Sequence, residues 1–243
     1  MSSRFLPVVI ANCDEQAAEL TVLAEAGRLD FERTLLLATV YRRRGIASLL
    51  AFGSAGALHE DLRRAGAVLA TFLTSRRGNE AVRNSPIGFF DAVACGDMTT
   101  ADRIAQFSPR DWRAGECYED DFLYVDLLMA RFHLGALPAR IQAMLARYRV
   151  ALEGVDDPRL TICESLLGAD QQAFDAALTE LIQGHEQRYR TAFAADEILE
   201  EVAMTEGKLF VEGLALLEFA RRSGLRTQPD YLLMPSLAQR APD

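Results

Sequence analysis

Helix-forming residues fill nearly every stretch between the prolines and glycines of this chain, and alternating runs of the β type are almost missing. After Pro138, for example, Ile141, Met144, Leu145 and Tyr148 fall at i, i+3, i+4 and i+7, one face of a helix. Aspartates that can cap a helix recur at Asp14, Asp30, Asp97, Asp157 and Asp170, each ahead of such a segment. The pattern predicts helices over 14–27, 30–43, 89–95, 97–107, 119–134, 138–148 and 158–167. A further long one follows Asp170 and carries Phe174, Leu178, Leu181, Ile182 and His185. Residues 49–73 read as one or two helices broken near residues 53–56. Residues 196–222 read as a last long region with a kink at Gly207 and a stop at Gly224. The best strand candidate, residues 7–11, is short. An apolar tail, Tyr231-Leu232-Leu233-Met234, lies between Pro229 and Pro235 and should dock back on the core.

The expected fold is therefore all-α, a multi-helix bundle of stacked αα-hairpins. A faint internal echo supports hairpins: Ala92-Val93-Ala94-Cys95-Gly96-Asp97 resembles Ser165-Leu166-Leu167-Gly168-Ala169-Asp170, each a helix end, a turn and a capping aspartate. The polar, basic stretch 75–85 reads as a loop. It divides the chain into an N-terminal helical portion, 1–85, and a C-terminal one, 86–243, packed as one unit.

Chemistry is conspicuous by what the motifs exclude. There is no GxGxxG or GxxxxGK[ST] phosphate cradle, and Gly53-Ser54-Ala55-Gly56 is not a nucleophile elbow. His59, His133 and His185 share no metal-ligand spacing, and Cys13, Cys95, Cys117 and Cys163 form no CxxC pair. The histidines read as core-edge or capping residues and the cysteines as reduced thiols. No cofactor, metal or catalytic residue is expected. The N-terminal apolar run is short and broken by Pro7, unlike a signal peptide, and no stretch approaches a bilayer span, so the expected location is the cytoplasm. Arg42-Arg43-Arg44 and Arg76-Arg77 lack the interleaved aromatics of a nucleic-acid groove and read as solvated.

Charge is distributed unevenly. The 243 residues carry a formal charge of −9, which argues against nucleic acid as the partner. Residues 1–110 hold 13 basic and 12 acidic side chains, residues 111–243 the other 13 and 23. Two patches hold much of the excess. Glu116, Glu119, Asp120 and Asp121 run into an apolar helix, where the helix dipole alone would favour them. Asp196, Glu197, Glu200 and Glu201 include like-charge pairs four residues apart, which a solvated helix or a partner surface would explain. Both are candidate contacts for a basic protein.

Residues from Phe89 onward resemble the immunity protein 49 family of bacterial polymorphic toxin systems. The resemblance rests on Phe89-Phe90-Asp91-Ala92 with Gly96-Asp97, on Tyr118-Glu119-Asp120-Asp121-Phe122-Leu123-Tyr124, and on Gly213-Leu214-Ala215-Leu216-Leu217, Gly224-Leu225 and Tyr231-Leu232-Leu233-Met234-Pro235. It implies a helical, non-enzymatic antitoxin that binds a cognate toxin domain, delivered by a contact-dependent or type VI secretion route. Charge alone favours a toxin with a basic surface, such as a nuclease. The competing expectation is a helical-repeat adaptor or scaffold with another basic partner. The oligomeric state is not legible.

Overall fold

Short-range bonds from aspartates start many of the helices. In the computed structural model, which describes residues 5–75, 82 and 84–239, Asp30 accepts from Arg33 N at 2.8 Å and Asp97 from Thr100 N at 3.0 Å. Asp157 accepts from Arg159 N at 2.8 Å and Asp170 from Ala173 N at 3.0 Å. Each satisfies a donor that the first helical turn leaves open. They begin α2 (Phe31–Phe52), α5 (Met98–Phe107), α8 (Pro158–Gly168) and α9 (Gln171–Ala194). The other helices are α1 (Leu6–Glu25), α3 (Ala55–Ser75), α4 (Pro86–Ala94), α6 (Glu119–Phe132), α7 (Pro138–Ala151), α10 (Glu200–Met204) and α11 (Val211–Arg222), followed by a 3-10 turn, Ser236–Ala238. No strand occurs among the described residues. The fold is all-α, with neighbours in sequence packing as hairpins. In the two echoing turns, Asp97 N bonds Ala92 O at 2.8 Å and Asp170 N bonds Ser165 O at 3.0 Å.

The main apolar core draws on both ends of the chain, from Phe31, Ile46 and Leu62 to Phe210, Phe219 and Met234. Its centre is α6, in which every residue from 122 to 130 is buried, so the helix is covered all round. Phe219 of α11 stacks on Phe132 at 4.4 Å between centroids and lies 6.2 Å from Phe89. The tail docks as expected: Met234 is buried against Gly213, Phe210 N bonds Leu233 O at 2.9 Å, and His59 Nε2 bonds Ala238 O at 3.0 Å. A second, smaller core joins α1 to α2 through Leu6, Val9, Cys13, Ala17, Leu37 and Val40.

Several expectations are corrected. Residues 7–11 are helix, not strand: α1 begins at Leu6, and Pro7 fits its first turn because its missing N–H would be unbonded there anyway. Asp14 is therefore no cap; it lies in mid-helix and binds Arg44 Nη1 at 2.7 Å. α2 does not stop at Arg43 but runs on to Phe52, crossing α3 at Gly45, where a Cβ would come within 3.0 Å of Asp61 Cβ. The break at Gly53 is as expected, with φ +67. The region 196–222 is not one kinked helix but α10 and α11, with Thr205 to Phe210 non-helical between them. Most of the loop 75–85, including Arg76-Arg77, lies outside the described residues.

The largest correction concerns Arg42-Arg43-Arg44, which is not solvated. Arg42 binds Asp91 of α4 through Nε at 2.6 Å and Nη2 at 2.8 Å. Arg43 binds Glu201 and Glu206. Arg44 binds Asp14 of α1 and, through Nε at 2.9 Å, Asp61 of α3. Three consecutive residues on a helix point about 100° apart, so each reaches a different neighbour. The guanidinium fork then fixes α2 against four separate elements.

Candidate partner-binding surface

The first acidic patch is occupied from within. Tyr118 precedes α6 without a side-chain cap, and Glu119, Asp120 and Asp121 fill the first turn. Arg147 of α7 donates to Glu119 at 2.6 Å. Arg159 of α8 donates to Asp121 at 2.6 Å and Asp120 at 3.3 Å while also holding Asp157. Its guanidinium lies 5.4 Å from the Tyr124 ring centre, and the acids around it hold its pKa above the ordinary value despite burial. Glu116 lies 3.6 Å from Arg113. The four carboxylates thus face local cations, and the patch joins α6, α7 and α8 more than it projects charge. Sequence reasoning missed Arg147 and Arg159; nothing in the local pattern around residues 116–121 points to them.

The second patch is arranged differently from the helix face that its spacing implied. Beyond His185, α9 continues to Ala194 with no buried residue. Tyr189 still rests on Gly207, but Phe193 at the end of the helix is 44 % exposed. The chain then reverses through Asp196, which takes the left-handed conformation at φ +55, rare for a residue with a side chain. Asp196 and Glu197 therefore lie between two helices, and the like-charge pairs with Glu200 and Glu201 do not share one. Leu199 is 69 % exposed. Asp196, Glu197 and Glu200 are exposed and enter no ion pair among the described residues. Glu201 differs: Arg43 Nη1 holds it at 2.8 Å, and Arg43 Nη2 holds Glu206 at 2.8 Å.

The root of this corner is His185. Its ring lies 4.6 Å from both Tyr189 and Phe210, and Nε2 bonds Glu206 O at 2.9 Å. A carbonyl only accepts, so Nε2 carries the proton and Nδ1, buried, has no partner among the described residues. Burial is the largest influence and lowers the His185 pKa to about 4; the bond to the Glu206 carbonyl, next in size, opposes it, and the nearby Arg188 and Arg42 add to the lowering. The ring is neutral at neutral pH and acts as a structural donor. His133 plays a comparable part at the end of α6, with Nδ1 2.8 Å from Asp102. Both are core-edge residues, as their positions in the sequence imply. No group of His, Cys, Asp and Glu side chains among the described residues is arranged to hold a metal ion. No described helix is long and apolar enough to cross a membrane.

The turn from α9 into α10 thus carries two exposed apolar side chains, Phe193 and Leu199, and three exposed carboxylates, Asp196, Glu197 and Glu200, that enter no ion pair among the described residues. No curated protein and no solved structure matches the chain. The sequence model of the family described as immunity protein 49 matches residues 54–238, starting just before α3 and ending in the last 3-10 turn. The match begins earlier than Phe89, since α3 contributes to it as well, and leaves out α1 and α2. With most of its length matched, the chain belongs to the immunity protein 49 family.

Proposed function

We propose that this chain is a cytoplasmic immunity protein that binds a cognate toxin domain and blocks its active site without chemistry of its own, residues 1–85 and 86–243 acting as one unit. The toxin contact is the α9–α10 corner: Phe193 and Leu199 supply apolar anchors, and Asp196, Glu197 and Glu200 face a basic surface. The observation that carries this reading is the combination of two exposed apolar side chains with three exposed carboxylates that enter no ion pair among the described residues, around the turn from α9 into α10. Apolar anchors ringed by polar groups are the usual anatomy of a binding surface. Complementary charge accelerates encounter and selects among partners. A nuclease, with its basic groove, is the toxin class that this charge fits, and a contact-dependent or type VI secretion route is the delivery that the family resemblance implies. A stable interface would bury about 1,200–2,000 Å² in total.

The test is rescue and kinetics with the toxin domain encoded beside this chain. Wild type should restore growth to cells making that domain and form a 1:1 complex. Changing Asp196, Glu197 and Glu200 together to Asn, Gln and Gln should slow association about tenfold at low ionic strength and flatten its salt dependence. The equivalent change at Glu119, Asp120 and Asp121 should alter thermal stability more than association. The reverse ranking would move the contact to the start of α6. Absence of both complex and protection would favour the adaptor reading.

A further inference from the structure

α10 is five residues long and buries none of them. A helix this short does not hold together by itself, because nucleation costs more than so few bonds return. Gly207 N bonds back to Val202 O at 3.1 Å, and His185 Nε2 holds Glu206 O just past the end of the helix at 2.9 Å. Val202 N and Ala203 N bond Leu199 O at 3.0 and 3.2 Å, Met204 packs on the edge of the small α1–α2 core, and the Thr205 hydroxyl bonds Glu201 O. The strongest clamp is Arg43. One guanidinium donates to Glu201 at the start of α10 and twice, at 2.8 and 3.1 Å, to Glu206 just past its end. Arg43 is 14 % exposed and its two partners 20 % and 16 %, so the bridge is shielded from salt more than a surface pair. Arg43 also lies outside the family-matched region, residues 54–238, whereas both carboxylates lie inside it.

We infer that Arg43 is a positioning residue for toxin binding: its bridge across α10 fixes Leu199 and Glu200 in their binding geometry, and so makes the α1–α2 hairpin part of the neutralising surface. The inference rests on the proposed contact at the α9–α10 corner. Its sign separates it from a plain charge effect. Removing a cation makes the chain more acidic, which by itself favours a basic toxin. Loss of positioning acts the other way. If α10 is seated only about one-tenth of the time, the apparent dissociation constant rises about tenfold.

The experiment compares wild type, Arg43→Met, Arg43→Lys and Glu201→Gln by toxin affinity and by hydrogen exchange of residues 199–206 without toxin. The expected result for Arg43→Met is faster exchange confined to residues 199–206 and affinity weakened about tenfold. Arg43→Lys, which keeps the charge but not the fork, should fall between it and wild type. If Arg43→Met fails to fold, Glu201→Gln carries the test, since it cuts one arm of the bridge at the partly exposed end. Unchanged exchange at 199–206 would overturn the clamp. Faster exchange with unchanged or tighter toxin binding would overturn the positioning role and leave the proposed function standing. If wild type itself fails to bind the toxin, the proposed function falls and this inference falls with it.

Discussion

Replacing Asp91 by alanine should lower the unfolding free energy by about 3–5 kcal/mol, the cost of leaving a buried charge without its partner. Asp91 is fully buried and receives three donors: Arg42 Nε at 2.6 Å, Arg42 Nη2 at 2.8 Å and the backbone N–H of Gly88 at 2.6 Å. Burial works against the Arg42 charge, and Asp91 is the main influence that sustains it. Alanine strands the guanidinium and orphans the Gly88 N–H at once. Gly88 cannot easily turn away, because it sits at φ +83 with Leu69 pressed against the position a Cβ would take. Urea denaturation followed by far-ultraviolet circular dichroism should show a lower midpoint with little change in slope. Arg42→Met combined with Asp91→Ala should recover the part of the loss owed to the stranded charge, the Gly88 N–H remaining unbonded. A single-variant cost near 1 kcal/mol would mean that water reaches Arg42 and that the pair does not pin α2 to α4.

Acid should weaken the fold through His185 by about 3 kcal/mol between pH 6.5 and pH 4. The folded chain holds this ring neutral, its pKa lowered from 6.5 to about 4. In that window the unfolded chain binds the proton and the folded chain resists it. The contribution is therefore fully present above pH 6.5 and is lost as the pH falls through about 4. Charging the ring would put a proton on Nδ1, which faces no acceptor among the described residues, and would add a cation near Arg188 and Arg42. His133, also lowered by burial, acts in the same direction; Asp126 and Glu212, raised by burial, act in the opposite one. The difference between wild type and His185→Phe, measured by urea denaturation from pH 7.5 to 4, isolates the one ring. A difference that stays flat across that range would show that His185 is solvated.

Features set by bonds of two or three residues were legible in the sequence; those set by distant partners were not. The caps at Asp30, Asp97, Asp157 and Asp170 are local and stand where the pattern put them. Arg42-Arg43-Arg44 read as solvated because their partners lie up to 163 residues away, and no local signal marks a cation as buried. The patch at Glu119, Asp120 and Asp121 read as open because Arg147 and Arg159 are 28 and 38 residues further on. The short strand candidate at residues 7–11 is helix for the opposite reason. β-branched residues weigh little against twenty residues of helix packed on α2. Periodicity located α9, but it does not tell a covered face from an uncovered one, so the extension beyond His185 became visible only in the fold.

That extension behaves as a lever. Phe193 stands eight residues, about 12 Å, beyond the last buried residue of α9, so a tilt of about 5° at the root carries the tip by about 1 Å. Substitutions at Tyr189, Gly207 or Phe210 therefore re-aim the tip without altering any residue on it. A chain of this design can change the shape of this corner by adjusting the pivot, while its exposed side chains stay the same.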